Sequence, residues 1–258
     1  MIALFCCRLI CGASLCWLVM PRKQVTDGFF RIQHLVVLGL SVLSALTVVD
    51  NGPFSQGKIP DNPAATSRAL LILIAAIAYV GSVLWTLGRR SPGRVAMLAI
   101  LILSFPAVLG LQALTWTYVT NVRVLSIINE VSSIWLIGTA VTGMLLGHWY
   151  LTATSMPLEP LIRLNQFFLS ASLLRAVIAG VGLATCPEPV TETTHLVWLM
   201  LRWLSGIVGP FLMSILIWRI LKYRNTQSAT GVFFAGVILV FLGEMAATLL
   251  SNEVAFPL

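Results

Sequence analysis

Eight stretches of this chain, each close to the length that crosses a bilayer and almost free of charge, constrain its fold more than any motif does. They run from 2 to 20, 33 to 49, 69 to 88, 95 to 115, 131 to 150, 164 to 184, 196 to 218 and 231 to 250. A helix rises about 1.5 Å per residue, so about 20 apolar residues cross a hydrocarbon core roughly 30 Å thick. Inside lipid every backbone N–H and C=O must be satisfied within the protein, which selects helices here. The sequence therefore predicts an all-α integral membrane protein, a single membrane domain over 1–258 with eight transmembrane helices. With 58% hydrophobic and 10% charged residues, little remains with which to build a soluble domain. No connection is longer than about eighteen residues, so function belongs among the helices or in partner subunits.

The net charge of +7 would suggest nucleic acid in a soluble protein. Here its distribution sets orientation instead, and nucleic acid is excluded as a partner. The connections after the first, third, fifth and seventh stretches hold Arg22, Lys23, Arg31, Arg89, Arg90, Arg94, Arg163, Arg219, Lys222 and Arg224, ten in all. The opposite connections and the tails hold three: Lys58, Arg68 and Arg123. By the positive-inside rule the first set is cytoplasmic and both termini lie on the other side, the expected setting being a bacterial inner membrane. The first stretch has no basic start beyond Arg8 and no small-residue cleavage site before Pro21, so it reads as a retained helix rather than a secretory signal.

An internal repeat is the main organisational expectation. Phe30, Arg31, Ile32, Gln33, His34 and Leu35 lead into the second stretch as Ile162, Arg163, Leu164, Asn165, Gln166 and Phe167 lead into the sixth. Leu84 and Trp85 before a basic run match Ile217 and Trp218 before another, and the Pro-containing external connections 50 to 67 and 185 to 195 correspond. These matches predict two four-helix units, 1–126 and 127–258, in a parallel 4+4 repeat.

Ionisable groups within the stretches are the candidate site. Each costs about 2.5 to 3.5 kcal/mol on insertion scales and normally faces the bundle interior. Arg175 lies near the middle of the sixth stretch, and Arg202 and Glu244 lie at matching depth, about 9 Å inside the outer ends of the seventh and eighth. Equal depth on sequential antiparallel helices predicts an Arg202 and Glu244 ion pair, with Arg175 beside it, Ser172 placed to orient Arg175 and Ser205 to orient Arg202. Two readings follow. The pair is a structural lock, or the cluster binds an anionic or carbonyl-bearing ligand or relays protons.

His34 and His148 fall near the cytoplasmic face on different helices, where two imidazoles could contact a quinone or ligate haem b. Against that, His148, Trp149 and Tyr150 read as an interfacial aromatic anchor, and His195 as a solvated loop residue. Cys7 and Cys11 share a helix face but read as buried small hydrophobes, and no metal site is expected. Pro106 and Pro210 are expected to kink their helices, and Ser228 to cap the last one. The Pro53 to Pro63 loop is the candidate for contact with a periplasmic domain.

No nucleophile-and-base spacing specifies an enzyme, and no catalytic residues are expected. The layout of eight helices in two units is similar to the quinol-handling membrane subunits of respiratory oxidoreductases. That resemblance implies a polytopic subunit of an electron-transfer complex, respiratory or photosynthetic in type, structural or quinone-contacting and not itself catalytic. Its partners would be membrane lipids and other membrane subunits. The alternative is a small-solute or anion transporter that uses the Arg and Glu cluster.

Overall fold

The computed structural model describes residues 1–48, 63–115, 123–153, 155–186 and 192–257. Among them are eight helical spans long and apolar enough to cross a membrane, and no strand. The first four are α1 (Ile2–Val19), α2 (Asp27–Thr47), α3 (Pro63–Thr86) and α4 (Arg90–Thr115). The next two are α5 (Arg123–Tyr150) and α6 (Glu159–Thr185). The seventh is built of three pieces, α7 (Thr193–Trp203), a π turn (Leu204–Val208) and α8 (Gly209–Lys222), and the eighth is α9 (Thr226–Val254).

Most helices run past their apolar stretches into polar sequence, because backbone hydrogen bonding does not depend on apolar side chains. The extension is largest at α5, which begins at Arg123 and so takes in Ser126, Asn129 and Glu130, all buried. Local sequence explains the ends. Pro63 opens α3, where its missing N–H is no loss. Gly88 stops α3 with φ +67°, while the amides of Gly88 and Arg89 bond back to Trp85 and Leu84. Asn225, not Ser228, caps α9, its side chain accepting from the Ser228 amide at 2.9 Å. A Ser228 cap would lie within the helix that Asn225 already starts. The α4 helix passes through Pro106 without interruption. At Pro210 the chain instead forms the π turn that precedes it.

The chain divides into two compact units, Met1–Thr117 and Tyr118–Leu258. In the first, α1 packs on α2, α2 on α3, α3 on α4, and α4 returns to α1. In the second, α5 packs on α6, α6 on α8, α7 and α8 on α9, and α9 returns to α5. Close approach in both depends on glycine: a Cβ at Gly81 would come within 2.3 Å of the His34 ring, and one at Gly143 within 2.4 Å of Phe233. Polar ties join helices too. Ser44 donates to Ala3 O at 2.8 Å, Asn165 to Ser214 O at 3.0 Å, and Arg68 to Val48 O at 2.7 Å.

The paired features behind the expected repeat differ in surroundings. Trp85 is buried, with its ring 4.7 Å from that of Phe30, whereas Trp218 is half exposed beneath the Lys222 ammonium, 3.7 Å from its ring centre. The Pro53 to Pro63 loop, apart from Pro63, lies outside the described residues, as do Lys58 and residues 187–191 of the other matched connection.

Candidate functional site

Four helices of the second unit bring polar side chains to one level. Ser132 and Ser133 on α5 and Arg202 on α7 lie about 14 to 15 Å along from the starts of those helical spans, and Arg175 on α6 and Glu244 on α9 lie about 15 Å before the ends of theirs. Since the helices alternate in direction, these are the ends on one side. Arg175, Arg202 and Glu244 expose 3%, 2% and 2% of their surface, too little for water to hydrate a charge.

The carboxylate of Glu244 is held by Arg175, not Arg202. Arg175 Nε donates to Glu244 Oε1 at 2.8 Å and Nη2 to Oε2 at 3.0 Å, a two-pronged bond, while Ser133 Oγ donates to Oε2 at 2.5 Å. Arg175 Nη1 turns to α5, donating to the backbone oxygen of Asn129 at 3.2 Å, to its side-chain oxygen, and to Ser132 Oγ at 3.1 Å. Ser132 in turn donates to Asn129 O at 2.8 Å. The fork of the guanidinium matches the carboxylate plane, and the remaining donors find acceptors on α5. α5, α6 and α9 are therefore tied by one satisfied network.

Arg202 is left over. Its Nη1 and Nη2 are buried and make no hydrogen bond among the described residues, although it interacts electrostatically with both Arg175 and Glu244. The expected Arg202 and Glu244 pair is thus corrected: matching depth is met by three helices, and Arg175 takes the carboxylate. Ser172 and Ser205 do not serve the arginines either. Ser172 Oγ donates to Phe168 O at 2.9 Å and Ser205 Oγ to Leu201 O at 2.5 Å, the bond to the preceding turn that a helical serine makes when nothing better is in reach.

The backbone beside Arg202 is irregular. The π turn starts two residues later, and Pro210 has no N–H for the Gly206 carbonyl four residues before it. The same turn touches α9 backbone to backbone: a Cβ on Gly243 would fall 2.0 Å from Gly206 Cα and 2.4 Å from Gly206 N. Glu244 follows Gly243 directly, so this contact fixes the carboxylate's helix against the helix that bears Arg202.

The histidines occupy three unlike places. In the first unit His34 is fully buried, its ring stacked on Trp17 at 5.2 Å, Nδ1 2.7 Å from Phe30 O, and Nε2 against Gly81 without a partner among the described residues. In the second, His148 is exposed. Tyr150 does not share that surface: it is buried, and its hydroxyl donates to Pro157 O, fastening the α5 to α6 connection. This corrects the expected aromatic anchor, since a phenol that finds a carbonyl partner can turn inward. His195 is in the first turn of α7, largely buried, with Nε2 3.6 Å from Glu192 and 3.7 Å from Glu253, so it is not a solvated loop residue.

Asn129 lies outside the apolar stretch that starts at 131, and Ser132 and Ser133, although inside it, carry no charge to mark them. The signal in the sequence is that Asn129, Glu130, Ser132 and Ser133 crowd four polar side chains into little more than one helical turn and run into the apolar stretch without a Gly or Pro break. No family model matches the chain, and neither curated proteins nor solved structures give a match to it.

Proposed function

We propose that this chain is an integral membrane protein whose second unit binds a small anionic ligand at Arg202. The membrane setting is supported by the inverted distribution of polarity. Leu46, Ile72, Val95, Val177, Met200 and Ile238 are each more than half exposed, while Arg175, Arg202, Glu244, Asn129 and Ser133 are buried. A water-facing protein has the reverse pattern, and apolar surface this extensive calls for lipid. Helices of about 40 Å centred on a 30 Å core would put the Arg202 level about 10 Å below the outer boundary.

The observation that carries the ligand reading is the unmatched charge of Arg202. The Arg175 and Glu244 pair is neutral as a unit and its bonds are satisfied. Arg202 adds a full positive charge with two buried nitrogens lacking acceptors among the described residues. A bound carboxylate, phosphate or similar anion would supply both the counter-charge and the acceptors, which favours a small-anion transporter or receptor. A quinone carbonyl would supply an acceptor without the charge, so the electron-transfer subunit is the weaker of the two readings.

The test is purified protein in lipid nanodiscs, with thermal stability and uptake measured against chloride, phosphate, acetate and a dicarboxylate. At least one anion should raise the melting temperature and be taken up by proteoliposomes, and Arg202→Met should abolish both. Stabilisation by a quinone analogue alone would favour the electron-transfer reading, and indifference to all of them would overturn the site.

A further inference from the structure

One end of the first unit carries a concave site of its own. Where the short 3-10 turn Arg22–Gln24 follows α1 and the tight Gly88 turn joins α3 to α4, a cavity of about 660 Å³ opens. Arg22, Lys23, Arg90 and Arg94 line it, with Trp85 and Met20 forming its apolar wall. Asp27 is the sole acid among the described residues of this unit, and it is already committed to Arg90, Oδ1 to Nε at 2.9 Å. Among the described residues, then, no carboxylate balances Arg22, Lys23 or Arg94. Trp85 is 4% exposed, and its indole Nε1, packed against Gly93, has no hydrogen-bond partner among the described residues.

We infer that this cavity is a binding site for a phosphate-bearing anion, best matched by the headgroup of an anionic phospholipid. Three uncompensated cations converging on one concavity give a phosphate several charge-assisted donors. The volume is that of a small-molecule site rather than a surface dimple. The buried indole and Met20 set an apolar wall beside the cations, the combination that suits a site where headgroup meets hydrocarbon. Basic pockets between helix ends on the positive side of a membrane protein are the setting in which such headgroups are recognised. The Schellman turn at Gly88 builds the site, because it reverses the chain tightly enough to put Arg90 and Arg94 of α4 beside Trp85 of α3. The lipid source rests on the membrane reading above; the phosphate chemistry does not, nor does it depend on Arg202.

The test uses the full chain in phosphatidylcholine nanodiscs, with and without phosphatidylglycerol, and in parallel with inorganic phosphate. Phosphatidylglycerol should raise the melting temperature, and Lys23→Gln with Arg94→Gln, both at exposed positions, should weaken its apparent affinity about thirtyfold, at roughly fivefold for each charge and more where they converge. Arg219→Gln with Arg224→Gln, which removes two charges outside the cavity, should leave the affinity within about twofold. Equal losses in both double variants would reduce the effect to general surface charge and overturn the site. Stabilisation by inorganic phosphate that competes with the lipid and is lost in the first double variant would assign the same site to a free phosphate compound. No response to either probe would overturn it.

Discussion

Removing one partner of the Arg175 and Glu244 pair tests the arrangement most directly, because the two arginines should behave oppositely. Glu244 accepts from Arg175 at 2.8 and 3.0 Å and from Ser133 at 2.5 Å. In Glu244→Gln one acceptor oxygen becomes an amide donor facing other donors, and the negative charge beside two buried cations is lost. Breaking a buried pair from one side costs about 3 to 5 kcal/mol, which for a chain of this size is a fall of roughly 10 °C in melting temperature. Arg175→Met should cost a similar amount, since it strands the carboxylate and leaves Asn129 Oδ1 and Ser132 Oγ without their donor. Arg202→Met removes a buried charge whose Nη1 and Nη2 make no hydrogen bond among the described residues, and should be neutral or stabilising. Replacing Arg175 and Glu244 together by Met should recover much of either single loss, as buried pairs exchanged for apolar residues often do. Each variant would be purified in mild detergent and melted under one set of conditions. Equal destabilisation by Arg202→Met and Arg175→Met, or a Glu244→Gln protein that melts like the parent, would refute the assignment.

Three further outcomes follow from the same geometry. Ser133→Ala, which removes a donor to a charged acceptor, should cost about 1.5 to 3 kcal/mol, whereas Ser172→Ala should stay within about 0.5 kcal/mol because that hydroxyl bonds only its own helix; thermal melts separate the two. Gly243→Val should disrupt folding, since its Cβ would meet the Gly206 backbone at 2.0 Å and neither side can yield by a side-chain rotation, and loss of the monodisperse peak on gel filtration would report it. Cysteine labelling at Arg90 and Asn225 should report the cytoplasm, and at Gly57 and Glu253 the opposite side; reversed labelling would refute the orientation drawn from the basic residues.

The helical architecture was legible because it depends on properties that add up along the chain. Length and apolarity located all eight spans, and the errors fall at their ends, where helices continue into polar sequence under hydrogen bonding that hydropathy does not measure. Asn225 as the cap of α9 follows the same logic: Ser228 is an acceptable cap residue, but Asn lies three residues earlier and reaches the Ser228 amide. The seventh span was legible in part. Pro210 and its neighbouring glycines announced an irregularity, while the form it takes, a π turn that brings Gly206 onto Gly243, depends on a helix distant in sequence.

The site was legible as a set of residues and not as a set of bonds, for a physical reason. Burial makes Arg175, Arg202 and Glu244 conspicuous one at a time, but which cation takes the carboxylate depends on helix rotation and on which one can satisfy its remaining donors. Arg175 is able to do so because α5 offers Asn129 and Ser132 at the same level. Arg202, next to a π turn packed against a bare glycine backbone, has no such shelf of acceptors among the described residues. The pairing is therefore decided by Asn129 and Ser132, two uncharged residues that a search for intramembrane charge passes over. By the same reasoning an added acceptor near Arg202 should quench its demand for an anion, while the α5 shelf keeps Arg175 on Glu244.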